Sequence, residues 1–168
     1  LAKSHRVILV DYPGVGYSSG ALPQSMSEAA AFVTDFATAI DVPRFTIAGW
    51  SWGGAVAQTV MLEHPDRVIH AIIMGANPPG KLERPIQQAF LDRAFKPVND
   101  LADEEVLFFE PASALSMKAA VASRQRIYAR EGVDSKIPST PEKVQAYLNA
   151  AKDYGTDTAG RRDKLLAS

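Results

Sequence analysis

The chain has 168 residues, 46% hydrophobic and 22% charged, with a formal net charge of −1, proportions that suit one soluble globular domain with a core of its own. Near-neutral charge and scattered basic residues exclude an electrostatic footprint for nucleic acid or an anionic membrane surface, and no apolar run approaches the length of a membrane span. The absence of cysteine excludes disulfides, a thiolate nucleophile and cysteine-based metal sites, and with no visible signal segment it fits a cytoplasmic protein. Leu1, not Met, stands just ahead of a strand-like run, so the sequence reads as beginning in the middle of a longer protein.

Arg6 to Val10 (R-V-I-L-V) is a short apolar, β-branched run that predicts a buried strand. Asp11 to Gly20 is a turn-rich loop. Ser25 with Glu28 three residues on forms a capping box, and the helix behind it places Ala29, Phe32, Val33, Phe36 and Ile40 on one face before Pro43 ends it. Phe45 to Ala48 predicts a second strand, Gly49 to Gly54 a tight turn, Ala55 to Glu63 a helix, and Val68 to Met74 a third strand ending at Gly75. Strand, helix, strand, helix, strand is the α/β pattern with a parallel sheet. After Asn77-Pro-Pro-Gly80 no convincing strand follows. The periodicity predicts helices over 83–96, 101–109 and 112–131, the last stopped by Gly132. A further helix starts at Thr140-Pro141 and stops at Gly155, and a short one covers 158–167. The chain therefore divides into residues 1–80, α/β, and 81–168, all-helical.

Gly49-Trp50-Ser51-Trp52-Gly53-Gly54 fits G-x-S-x-G between a strand and a helix. By chance the bare pattern arises in roughly one chain in twenty of this length; the strand before it and the helix after it are what make it specific. A sharp strand-to-helix turn would hold Ser51 Oγ above the carboxyl edge of the sheet. Gly49, Gly53 and Gly54 give the chain room to reverse. Ser51 would stand at a helix N-terminus, where free N–H groups and the dipole favour developing negative charge, and the backbone N–H of Trp52 would donate to an oxyanion. Trp50 and Asn77 are candidate pocket residues.

Residues 6–80 resemble the middle of the α/β-hydrolase superfamily, in its serine-nucleophile branch. The resemblance rests on R-V-I-L-V-D-Y-P-G-V-G-Y-S, on the elbow F-T-I-A-G-W-S-W-G-G, and on P-D-R-V leading into A-I-I-M-G. The three predicted strands then correspond to the family's strands four, five and six, and residues 81–168 resemble the helical cap, or lid, inserted after the sixth. The resemblance implies a cofactor-free serine hydrolase acting on a small-molecule ester, thioester, lactone or amide through an acyl-enzyme on Ser51. Ser at position 51 separates the chain from the branches that use an aspartate nucleophile. Acyl transfer or perhydrolysis on the same fold, and a non-catalytic binding module, are the alternatives; nothing in the sequence sets an oligomeric state.

A serine hydroxyl needs a base, and the chain has three histidines. His64 lies thirteen residues along the elbow helix, about 20 Å from Ser51 at 1.5 Å per residue. His70 and His5 stand near the starts of their strands, about 15 Å from the carboxyl edge. The resemblance implies that base and acid follow Ser168 and that the second oxyanion donor precedes Leu1, which would leave the 168 residues inactive alone. In the family's strand order a further strand separates 6–10 from 45–48, so these two segments should not pair with each other. Asp11 at a strand end could be an acid, but resembles a loop-fixing residue. Gly14-x-Gly16-x-x-x-Gly20 hints at dinucleotide binding, yet no helix begins at its glycines. The aromatics Phe90, Phe95, Phe108, Phe109, Tyr128 and Tyr147 are expected mainly as core, with some facing an acyl pocket beneath the lid.

Overall fold

The structure, a computed structural model, describes residues 1–94, 96, 99–129 and 140–167. Among them are two strands, β1 (Phe45–Trp50) and β2 (Val68–Met74), and seven helices: α1 (Met26–Ala39), α2 (Trp52–Glu63), α3 (Gln88–Ala94), α4 (Leu101–Phe108), α5 (Ala114–Tyr128), α6 (Pro141–Thr156) and α7 (Arg161–Ala167). β1 and β2 pair in parallel, with Ile47 opposite Ala71 and Trp50 opposite Met74. Parallel strands need a crossover connection between them, and α2 supplies it.

Helix α1 begins where its cap dictates. Ser25 accepts the Glu28 N–H at 3.1 Å, satisfying one donor that the first turn leaves orphaned, and the Glu28 carboxylate reaches past the cap to the Gln24 N–H at 2.7 Å, so the expected capping box does not close on Ser25 itself. The face α1 buries is Met26, Ala29, Ala30, Thr34 and Ala37, not the expected stripe: Phe32, Val33, Phe36 and Ile40 stay half-buried, Phe32 against Tyr12 and Phe36, because small side chains let α1 approach α2 closely. Met26, Ala29, Ala30, Ala55, Val56, Val60 and Ala150 form the buried cluster, with Tyr12, Val33, Phe45 and Ile47 packed against it. Helix α2 is buried without interruption from Gly54 to Val60, because it lies between the sheet and α1. Each large apolar side chain enclosed there contributes about 1.5–3 kcal/mol. Arg67, in the 3₁₀ turn before β2, donates to the carbonyls of Pro43 at 2.6 Å and Val42 at 3.2 Å. It thereby joins the start of β2 to the loop that leads into β1.

Residues 6–10 depart from expectation. They form no ladder with any described residue, and Leu9 is 92% exposed. A β-branched apolar run states a preference for a sheet, but a strand exists only where a neighbour takes its N–H and C=O groups. Pairing with 45–48 does not occur, as the strand order required. Several bounds also move: β1 runs on to Trp50 past Ala48, α4 ends at Phe108, α5 starts at Ala114 because Ser113 caps it, and α7 starts at Arg161, not 158, after Gly160 in the left-handed region. α3 starts at Gln88, not 83, since no residue of it is buried and a short helix without packing is marginal. α2 starts at Trp52, so the turn is tighter than a six-residue loop. α6 passes through Gly155 and closes at Asp157, which adopts φ 49° and ψ 45°, a left-handed cap that Asp tolerates. Gly132 and Phe95 lie outside the described residues.

Candidate active site

The chemistry-bearing motif sits where β1 ends. Ser51 follows Trp50, the last residue of β1, and precedes Trp52, the first of α2. Its N–H donates to the Met74 carbonyl at the end of β2 at 2.8 Å, and its own carbonyl accepts the N–H groups of Gly54 at 2.9 Å and Ala55 at 3.2 Å. These bonds hold it at φ 53°, ψ −118°, a region that costs a residue with a Cβ about 1–3 kcal/mol and persists only when the surroundings over-determine it. The side chain makes no capping bond and the residue is exposed. Ser51 is therefore raised on a strained turn at the carboxyl edge of the parallel sheet, where ligands meet open α/β sheets.

The glycines divide by role. A Cβ on Gly49 would overlap the Gly53 carbonyl, and one on Gly54 would stand 2.6 Å from Ala76 Cβ. Both are required by close approach. A Cβ on Gly53 would meet nothing within 4 Å, so the expectation that Gly53 gives room for the reversal is not what its surroundings demand; Gly49 and Gly54 carry that constraint.

Both tryptophans meet the helical half of the chain. The Trp52 ring stacks on Tyr147 of α6, centroids 4.3 Å apart and planes inclined by 28°, and Trp50 meets Phe108 of α4 at 6.0 Å. Trp50 stays 62% exposed and Phe108 57%, an apolar pair open to solvent beside Ser51. Asn77 enters through its backbone: its carbonyl accepts from Gln58 Nε2 at 3.0 Å and from the Tyr154 hydroxyl at 2.9 Å. The surface groove that Asn77 lines, with Lys81, Arg84 and Arg162, includes none of Trp50, Ser51 and Trp52. Burial pushes the hydroxyls of Tyr147 and Tyr154 above the ordinary tyrosine range, the latter partly opposed by nearby Arg161; both stay neutral and able to donate.

His70 pairs with Thr46, four residues before the strand end that bears Ser51, about 13 Å away along the strand. His64 caps the far end of α2, and His5 sits in an exposed turn against the Ser4 hydroxyl at 2.8 Å. Asp11 fixes its own loop: its carboxylate accepts the Tyr17 N–H at 3.2 Å and its carbonyl accepts the Ser18 hydroxyl at 2.7 Å. Gly14, Gly16 and Gly20 have positive φ, and α1 starts six residues past the last of them, which leaves no helix N-terminus for a pyrophosphate. Among the described residues no cluster of three His, Cys, Asp or Glu side chains could hold a metal, and no helix is long and apolar enough to cross a membrane.

Sequence patterning missed Arg161. One of the scattered basic residues by sequence, it is 2% exposed. It binds Glu63 at 2.7 Å, Asp153 at 3.4 Å and the Ser27 hydroxyl at 2.7 Å. Asp153 also accepts the Met26 N–H at 3.1 Å. Helices α1, α2, α6 and α7 thus converge on one guanidinium. Burial alone would lower its affinity for the proton; the hydrogen bond to Glu63 and the nearby carboxylates reverse that and raise it.

A family model described as the alpha/beta hydrolase fold matches residues 1–147. Pimeloyl-(acyl-carrier protein) methyl ester esterase of Vibrio parahaemolyticus is 30% identical over 166 residues, which are 96% of this chain and 60% of that protein. An alpha/beta hydrolase fold protein from Chitinophaga pinensis superposes with a TM-score of 0.66 at 26% identity, over 88% of this chain and 53% of that one. An N-acyl homoserine lactonase superposes at 0.56 with 19% identity, over 92% of this chain and 53% of its own, and shares the fold. The chain spans a little over half the length of these relatives. A strained serine at the strand-to-helix turn of a parallel sheet and a family match over most of the sequence agree: the chain belongs to the alpha/beta hydrolase fold family.

Proposed function

We propose that this chain is the nucleophile-bearing part of a serine esterase that cleaves a carboxylic ester of a small acyl substrate. The observation that carries it is the backbone of Ser51, held at positive φ between Met74 and Gly54 with its hydroxyl uncommitted to a cap. Ser51 Oγ attacks the ester carbonyl, a histidine base takes its proton, and the tetrahedral oxyanion is stabilised by the Trp52 N–H and the positive end of α2. Loss of the alcohol leaves an acyl-enzyme that water cleaves. Base and acid come from segments outside these 168 residues, so the 168-residue chain alone does not turn over. The relatives named as methyl ester esterases support an ester over an amide, and the exposed Trp50–Phe108 pair supports an apolar acyl group. Within residues 81–168, helices α3 to α5 act as the part of the lid that parts from the elbow, while α6 and α7 hold it to residues 1–80. The absence of cysteine supports a cytoplasmic location.

The test is hydrolysis of short-chain acyl methyl esters by the protein carrying base and acid, beside Ser51→Ala and beside the 168-residue chain. Turnover by the first alone supports the proposal. Undiminished turnover by Ser51→Ala refutes it.

A further inference from the structure

Two rings of the helical half meet the residues that flank Ser51, Phe108 on Trp50 and Tyr147 on Trp52, and the Tyr147 contact is the tighter. Its stack on Trp52, with centroids 4.3 Å apart, is held from both sides. Trp52 is the first residue of α2, which is buried throughout its next turns. Tyr147 belongs to a face of α6 that also presents Ala150 and Tyr154, spaced three and four residues on, as neighbours on one side of a helix must be. Ala150 lies in the main buried cluster, and Tyr154 packs against it. Below that face, Asp153 accepts the Met26 N–H, Asn149 donates to Gln24, and the Tyr154 carbonyl accepts the Gly80 N–H. Helix α6 is therefore fixed to the start of α1 and to the loop after β2, and Tyr147 is a fixed platform.

The geometry points to Tyr147 as a positioning residue for the hydrolysis: its ring holds Trp52, and with it the N–H that receives the oxyanion, in register with Ser51. The inference rests on the proposed nucleophile. The peptide that carries this N–H is held at its Ser51 end by the bonds from Gly54 and Ala55 to the Ser51 carbonyl, and the clamped Trp52 ring limits how far its other end, the Trp52 Cα, can shift. Loss of one oxyanion donor costs about 10²–10³ in kcat; displacing a donor that is still present costs a part of that, about ten-fold. Because the donor acts on the transition state, the loss falls on kcat and leaves KM nearly unchanged.

The experiment is steady-state hydrolysis of an acyl methyl ester by the enzyme complete with base and acid, as wild type, Tyr147→Leu, Tyr147→Phe, Trp52→Leu, the Tyr147→Leu/Trp52→Leu pair and Ser51→Ala. The expected result is a kcat about ten-fold lower in Tyr147→Leu with KM within two-fold, restored by Tyr147→Phe, which keeps the stack. Trp52→Leu shows the same loss, and the double variant loses no more than either single. If Tyr147→Leu does not fold, Trp52→Leu decides: kcat within two-fold of wild type overturns the positioning role. So does a rise in KM at constant kcat, which would make Tyr147 a substrate contact. Ser51→Ala separates the two claims. Inactive Ser51→Ala beside a fully active Tyr147→Leu overturns the positioning role alone. Active Ser51→Ala overturns the nucleophile and the positioning role together.

Discussion

Helix α2, whose only charged residue is Glu63, and the more highly charged helices α3 to α5 stand in opposite situations. In α2 every residue from Gly54 to Val60 is buried, whereas α3 buries none, α4 only Asp103 and α5 only Ala120. The difference is tertiary: α2 has the sheet on one side and α1 on the other, and the three later helices chiefly meet one another. The contacts that fix Ser51 come from Gly54 and Ala55 of α2 and from Met74 at the end of β2. Those that α4 adds near the elbow run through one exposed ring pair, Trp50 and Phe108. The nucleophile proposed at Ser51 needs a support that does not yield, and the proposed lid needs a surface that can part from it. The two regions answer those two needs.

Substitutions can break this contrast, and the largest effect belongs at the elbow. Gly49→Ala places a Cβ against the Gly53 carbonyl and 2.7 Å from the Gly54 nitrogen, where only backbone can give way. We expect a loss of about 3 kcal/mol or more, read by urea denaturation, with loss of activity. Met26→Ala, at a site 1% exposed, costs about 2–5 kcal/mol, while Leu115→Ala on α5, 80% exposed, stays within about 0.5 kcal/mol. Equal losses at the two sites would erase the distinction between core and lid. Arg161→Met strands Glu63 and Asp153, each about a quarter exposed; partial solvation reduces the cost of breaking a buried pair to about 2–3 kcal/mol, with α6 and α7 the first to gain hydrogen exchange.

Two smaller effects sharpen the picture. Burial pushes the Tyr12 hydroxyl up to about 12 from 10.0. A raised folded value stabilises the protonated form, so the contribution is complete below pH 10 and is lost as pH rises towards 12. Alkaline denaturation of Tyr12→Phe should lack that phase. Gly53→Ala, whose Cβ meets nothing within 4 Å, should raise stability by up to about 1 kcal/mol of helix propensity, read as a slightly higher Tm. A large loss there would mean that the elbow needs all three glycines.

The elements that periodicity and caps specify were legible in the sequence. Ser25 and Glu28 announce α1, Thr140-Pro141 announces α6, and the run Val68 to Met74 is a strand with those bounds. The elbow was legible because G-x-S-x-G appears with a strand before it and a helix after. What was not legible depends on partners distant in sequence. Residues 6–10 look like a strand and find no ladder among the described residues. Arg161 looks like a surface cation and becomes the buried centre of four helices, because Glu63, Asp153 and Ser27 lie 98, 8 and 134 residues away. Tyr147 carries the helical spacing of a core residue, Tyr147, Ala150, Tyr154, yet nothing local shows that its ring meets Trp52 and not an aliphatic neighbour. Gly53 matches the motif as well as Gly49 does, and only the backbone geometry separates them.

The most direct measurement is covalent labelling of the complete protein by a fluorophosphonate, followed by peptide mass spectrometry. The account predicts one phosphonyl group per chain, on the peptide containing Ser51, lost in Ser51→Ala and absent from the 168-residue chain on its own. Labelling at another residue, or folded and ester-hydrolysing protein that leaves Ser51 unmodified, would contradict it.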